Sequence, residues 1–232
     1  GARGPSALDW AIREGERDWG VTVLQAKAEL DAGPVWAHAR FPMRAAAKAS
    51  LYRQEVTEAA TAAVLEAVGR FDDWRAGRWQ PRRPADADAP VRGRLRPLMR
   101  QEDRAIHWQR DDTATVLAKL RAADGFPGVR DALFGHPCHL YDAWPEERLR
   151  GAPGDLIGRR ETALLRATTD GAVWIGHVKR ADAEVAIKLP ATVAFADEAA
   201  ALPALPVPGW WAADHATWQD IRYEEAGGVG FL

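Results

Sequence analysis

The stretch GARGPSALDWAIREGERDWGVTVLQAKAELDAGPVW, residues 1–36, places a turn, a short helix, a strand and an acidic tight turn in one unit. Residues 21–26 and 35–41 are rich in β-branched and aromatic side chains and predict two strands. Asp31 lies in the loop between them, and loops held by a rigid sheet commonly carry catalytic groups. An Asp before Ala-Gly is also typical of a plain turn, because Asp caps its own backbone and Gly accepts positive φ. Spacing alone favours the plain turn.

Downstream of these strands, the sequence predicts one helix and then an extended connection. Ser50 is a good N-cap for a helix that ends near Arg70. Residues 74–90 are predicted to be extended rather than helical, because prolines 81, 84 and 90 lack an amide donor and fix φ. The apolar stripe predicted for the helix, which should cover one face of the sheet, comprises Leu51, Val56, Ala60, Val64 and Val68.

A second unit is predicted from residue 93 onward. The segment Asp111-Asp112-Thr113 is expected to cap a helix that runs through Ala123 and turns Val116, Leu117 and Leu120 inward. Many short strands separated by Gly and Asp turns indicate a small β-barrel. The β-runs that carry this prediction are 132–134, 138–144, 155–158, 163–168, 172–178 and 185–188.

Composition excludes several classes of protein. The formal charge of −2 shows no basic bias toward nucleic acid, and no apolar run approaches the length of a membrane span. The single cysteine, Cys138, excludes an internal disulfide framework and fits a reducing cytoplasm. His136, Cys138 and His139 are clustered metal-type residues, but no second cluster accompanies them, so we expect no metal site.

Several motifs resemble the folate-dependent formyltransferases: Arg3-Gly4, Trp10-Ala11-Ile12, Gly20-Val21-Thr22-Val23-Leu24-Gln25 and Leu30-Asp31-Ala32-Gly33. This resemblance implies the C-terminal part of a Rossmann-like α/β domain, with N10-formyltetrahydrofolate as the formyl donor and no metal. It assigns a catalytic role to Asp31. It implies cofactor contacts at Arg3, Gly4, Thr22, Gln25 and Gly33.

In that family an Asn-x-His pair precedes the Arg-Gly turn, polarises the formyl oxygen and takes part in proton transfer. No counterpart of the pair is present, so we expect this sequence to be part of a longer enzyme and to be inactive alone.

A second set of motifs resembles the HypX (HoxX) hydrogenase maturation factors: Phe41-Pro42-Met43-Arg44, Lys48 through Ala59, Arg94 through Met99, and a crotonase-like tail from Ile221 to Leu232. This resemblance implies formyl transfer to coenzyme A, release of carbon monoxide for the [NiFe]-hydrogenase, and contact with the hydrogenase maturation machinery. Arg44 and Arg53 become candidate cofactor-binding residues, although a solvated arginine is the competing interpretation for both.

The expected organisation is a formyltransferase half-domain at 1–80, a linker at 81–92, an OB-like barrel domain at 93–195, a Pro-rich linker at 196–218 and the start of a crotonase-like domain at 219–232. Two alternatives stay open. One is a methionyl-tRNA formyltransferase, which the missing basic surface and the crotonase-like tail disfavour. The other is a noncatalytic fragment that binds folate poorly.

Overall fold

The computed structural model describes residues 2–29, 31–87, 93–205, 224–226 and 229–231. In the first unit the elements are β1 (Ala2–Arg3), α1 (Ala7–Arg13), β2 (Asp18–Leu24), β3 (Val35–Pro42), α2 (Lys48–Leu51), α3 (Thr57–Gly69) and α4 (Phe71–Arg75). A π-helical turn, Tyr52–Val56, joins α2 to α3, and Pro84–Asp86 forms a 3-10 turn. Strand β4 (Arg94–Leu95) pairs in parallel with β1.

The two strands predicted from residues 21–41 form an antiparallel pair, β2 with β3. One face of the pair is apolar, and Ala37 on this face packs with Ala63 and Ala67 of α3. Val21 and Val23 complete the contact from β2. Alanine side chains let the helix approach the strands closely on this face. The opposite face of the pair does not take part in this contact.

The helix prediction is correct in place but wrong in detail. Ser50 is not the N-cap, because the helix begins at Lys48 and the Ser50 hydroxyl accepts a hydrogen bond of 2.8 Å from the Arg44 guanidinium. The predicted stripe is also wrong: Val64 and Val68 are 49% and 66% exposed. Leu51 is buried as predicted, but the π turn changes the phase of the helix downstream, so the buried residues beyond it are Ala59, Ala63 and Ala67.

The stretch 74–90 is not uniformly extended. Helix α4 continues to Arg75 and the 3-10 turn interrupts the rest, while residues 88–92 lie outside the described part of the chain. Trp36 anchors the stretch, since its ring centroid lies 5.4 Å from that of Trp74 and 5.2 Å from that of Trp79. The aromatic contacts and a backbone pair between Val35 and Arg82 therefore hold this segment against β3.

The second unit contains α5 (Gln101–Arg104), α6 (Thr113–Ala123), β5 (Val129–Leu133), β6 (His136–Glu146), β7 (Leu156–Arg160), β8 (Ala163–Ala167), β9 (Ala172–Arg180), β10 (Lys188–Pro190), α7 (Ala191–Ala194) and α8 (Ala196–Ala200). The cap prediction is confirmed, because the Asp112 carboxylate accepts from the Thr115 amide at 2.8 Å. Val116, Leu117 and Leu120 are buried as predicted.

The strands of this unit form one antiparallel sheet in the order β5-β6-β9-β8-β7, and β10 pairs with β9 beyond the end of β8. Within the described residues the end strands β5 and β7 do not pair, so the sheet is open and does not close into a barrel. Helix α6 packs against β6 and β9 instead. Strands β11 (Glu224–Ala226) and β12 (Val229–Phe231) form a separate antiparallel pair. Gly227 and Gly228, between these strands in the sequence, lie outside the described residues.

Candidate functional site

The polar face of the β2–β3 pair forms one wall of a cavity of about 570 Å³. The register pairs Thr22 with His38 and Gly20 with Arg40 on this face, opposite the side that packs on α3. Arg3 and Gly4 approach from β1, and Asp31 approaches from the loop that joins β2 to β3. Four of the residues singled out from the sequence, Arg3, Gly4, Thr22 and Asp31, therefore line one cavity.

Asp31 is exposed and has a φ of 59°, in the left-handed region. Asp adopts this conformation more readily than most residues, because its short polar side chain can bond locally. The loop is closed at its base by a hydrogen bond of 2.9 Å from the Gln25 amide to the Pro34 carbonyl. The carboxylate is thus presented by a closed loop at the rim of the cavity wall.

Arg3 is positioned by the backbone around it. The Arg96 amide donates to the Arg3 carbonyl at 2.9 Å, and β1 and β4 run side by side there. Gly4 follows with a φ of 109°, and a Cβ at this position would lie 2.5 Å from the Arg96 carbonyl oxygen. Only glycine fits that approach, so the Arg-Gly pair fixes where the chain enters the cavity.

The remaining predicted site residues lie elsewhere. Gln25 and Gly33 lie at the base of the Asp31 loop and are not among the residues that line its cavity. Arg44 is held by Ser50, Gln54 and Glu55, and its guanidinium lowers the pKa of the Glu55 carboxyl. Arg53 is exposed and donates to the Ala49 carbonyl one helical turn back. The structure does not bring Arg44 and Arg53 to the cavity.

Gly33 supports the loop through a close backbone approach. A Cβ on Gly33 would lie 1.7 Å from the Gln25 carbonyl oxygen. We expect Gly33→Ala to lower the free energy of unfolding by about 1–3 kcal/mol, because backbone must move to relieve the overlap. Urea denaturation measures this, with Gly69→Ala as control: a Cβ there meets nothing within 4 Å. Equal midpoints for the two variants would contradict the prediction.

Sequence reasoning missed Asp18, His38 and Arg40 of the cavity wall. A signal was present: in β3, Val35, Ala37, Ala39 and Phe41 alternate with more polar positions, which indicates a strand with one buried face. His38 belongs to no motif, and its neighbour across the pair, Thr22, follows only from the strand register.

Two histidines of the second unit are paired with carboxylates. His136 bonds to the Asp182 carboxylate at 2.7 Å, and His177 to that of Asp142 at 2.9 Å. Burial raises the pKa of the Cys138 thiol to about 12. Across the described residues, no group of three or more His, Cys, Asp or Glu side chains converges as metal ligands would. No helix in the described ranges is both long and apolar enough to cross a membrane.

Comparison with known proteins gives three consistent matches. Residues 98–188 match the family "Formyl transferase, C-terminal domain". The whole chain is 52% identical, over 232 residues, to 38% of a hydrogenase maturation factor HoxX from Bradyrhizobium diazoefficiens. It also superimposes on HypX from Aquifex aeolicus, solved in complex with tetrahydrofolic acid, with a TM-score of 0.82 and 42% identity, covering 99% of this chain and 39% of that one.

A more distant relative is a methionyl-tRNA formyltransferase from Dechloromonas aromatica, 25% identical over 179 residues, which cover 77% of this chain and 54% of the relative. The chain spans about two fifths of the length of the HoxX and HypX proteins that it matches.

Proposed function

We propose that this chain, which corresponds along its whole length to part of the HypX and HoxX hydrogenase maturation factors, supplies the formyl-donor site of a formyltransferase. The observation that carries the proposal is the cavity in which Asp31, Thr22, Arg3 and Gly4 meet. Its volume of about 570 Å³ lies in the range of small-molecule sites. The crystallised relative with 42% identity was solved with tetrahydrofolic acid, which supports a folate as the occupant.

The bound N10-formyltetrahydrofolate would supply the formyl group, and the side chains of this chain would position it and manage protons. Asp31 is an exposed carboxylate at the rim, so it can accept a proton or orient a proton-carrying neighbour. Thr22 can donate to or accept from a polar edge of the ligand. Arg3, which also lines the cavity, adds a fixed positive charge.

We propose coenzyme A as the formyl acceptor, and the resulting formyl-CoA as the source of carbon monoxide for a [NiFe]-hydrogenase. The similarity to maturation factors extends over the whole chain at 52% identity, against 25% over part of it for the methionyl-tRNA formyltransferase. The formal charge of −2 offers no support for tRNA as the acceptor. The proposal places the protein in the cytoplasm with the hydrogenase maturation machinery.

A two-step measurement tests the proposal. Isothermal titration of the full-length protein with tetrahydrofolate should show saturable binding, and its incubation with N10-formyltetrahydrofolate should then formylate coenzyme A but not initiator methionyl-tRNA. Absence of folate binding would contradict the donor site. Formylation of the tRNA but not of coenzyme A would support the donor site. It would then favour a methionyl-tRNA formyltransferase.

A further inference from the structure

Two side chains of β3, those of His38 and Arg40, lie on the cavity wall. The register places them opposite Thr22 and Gly20, on the face that lines the cavity. Both are exposed. Among the residues that the structure describes, no side-chain hydrogen bond or ion pair engages either of them.

Six arginines of the first unit are neutralised by carboxylates. The pairs are Arg44 with Glu55, Arg70 with Glu66, Arg78 with Asp73, Arg83 with Asp86, and both Arg94 and Arg96 with Glu14. An arginine without such a partner that lies on a concave wall differs from these, because its guanidinium keeps its donors for a ligand.

The strand opposite leaves the Arg40 guanidinium unshielded. Its cross-strand neighbour is Gly20, where a Cβ would lie 2.5 Å from the Ala39 carbonyl oxygen. A side chain therefore cannot be accommodated at that position without moving backbone. The cavity also contains the carboxylates of Asp18 and Asp31. Among the described residues that line the cavity, Arg40 on β3 and Arg3 on β1 carry fixed positive charges, and His38 on β3 adds an imidazole.

We propose that Arg40 and His38 form an anion-binding subsite of the cavity, which holds a carboxylate or phosphate of a substrate. This inference rests on the proposed function. Guanidinium binds both anions through two parallel hydrogen bonds, and imidazole adds a further donor. The two proposed substrates carry different anions, since the glutamyl part of the folate has carboxylates and coenzyme A has phosphates.

The test is titration of wild type, Arg40→Gln and His38→Gln with tetrahydrofolate and, separately, with coenzyme A. Arg40→Gln should raise the Kd of one ligand at least about tenfold, the size of one lost charge-assisted hydrogen bond, with a smaller rise for His38→Gln. Weaker binding of tetrahydrofolate would assign the subsite to a carboxylate. Weaker binding of coenzyme A would assign it to a phosphate. Arg130→Gln, an exposed arginine on β5, is the matched control and should leave both Kd values unchanged.

Thermal melts establish that each variant is folded. Arg40→Lys keeps the positive charge but loses the planar guanidinium that makes two parallel hydrogen bonds, so its Kd should fall between those of wild type and Arg40→Gln. Unchanged Kd values for both ligands in Arg40→Gln and His38→Gln, with wild type binding normally, would overturn the subsite and leave the proposed function intact. Wild type that binds neither ligand would overturn both.

Discussion

Replacement of Asp9 with alanine is expected to lower the free energy of unfolding by about 3–5 kcal/mol, the usual result of removing one partner of a buried ion pair. The Arg104 guanidinium donates to the Asp9 carboxylate at 2.5 Å, and the two side chains are only 5% and 10% exposed. Without Asp9 the Arg104 charge would remain in a low-dielectric site with the Met99 carbonyl, 2.9 Å away, as its acceptor. Water cannot replace the lost carboxylate without opening the packing.

The Asp9 pair also joins the two units. Lys48, at the start of α2, lies 3.2 Å from the Asp9 carboxylate and donates to the Phe126 carbonyl at 2.7 Å. Asp9 on α1 therefore connects α2 of the first unit with α5 and the Phe126 loop of the second. Since Ala7 at the start of α1 lines the cavity, loss of this connection should loosen the cavity as well as the core.

Urea denaturation measures the effect of Asp9→Ala, with Asp73→Ala as the control. Asp73 pairs with Arg78 on the surface, where both side chains are more than half exposed, and such pairs contribute at most about 1 kcal/mol. The double variant Asp9→Leu with Arg104→Met should recover part of the loss, because it removes both buried charges together. Asp9→Ala as stable as the control would show that the pair does not hold the units together.

The elements of the fold could be predicted where a local signal and the tertiary packing agree. The Asp112 cap and the inward face of α6 follow from residues within a few positions of one another, and the structure has both. The stripe of α3 failed because hydrophobicity favoured Val64 and Val68, whereas the strands select the small side chains of Ala63 and Ala67. A π turn leaves no mark that sequence periodicity can detect, yet it sets which face of α3 is buried.

The candidate site could be predicted only in part, because the positions of some of its residues depend on the register of the strand pair. Arg3, Gly4 and Asp31 were found through motifs that resemble a known family, and they do line one cavity. His38 and Arg40 carry no motif, and their place depends on pairing with Thr22 and Gly20. A shift of one residue in this pairing would turn both side chains toward α3. Arg44 was a candidate because it belongs to one of these motifs, but its guanidinium donates to Ser50, Gln54 and Glu55 instead.

Asp31→Asn in the full-length protein should reduce formyl transfer about 10²–10⁴-fold without unfolding it, the range that a positioned proton-transfer group contributes. Asparagine keeps the size of the side chain and tolerates the left-handed φ of 59° that this position requires, so the loop should retain its shape. What changes is the chemistry: the amide can neither accept the proton nor stabilise a neighbouring positive charge. The rate with N10-formyltetrahydrofolate and the urea midpoint, measured on the same preparation, separate activity from stability.

Two further variants test whether the loss of rate in Asp31→Asn is specific to the carboxylate. Asp197→Asn removes an exposed carboxylate from the first turn of α8, far along the chain from the cavity residues, and should leave the rate unchanged. Asp31→Ala removes the same charge but also places a side chain that disfavours positive φ at the loop, so its urea midpoint should fall below that of Asp31→Asn while its rate is equally low. If the Asp31→Asn variant transferred formyl groups near the wild-type rate, Asp31 would be only a turn residue. A carboxylate that takes part in proton transfer cannot be neutralised without a loss of rate.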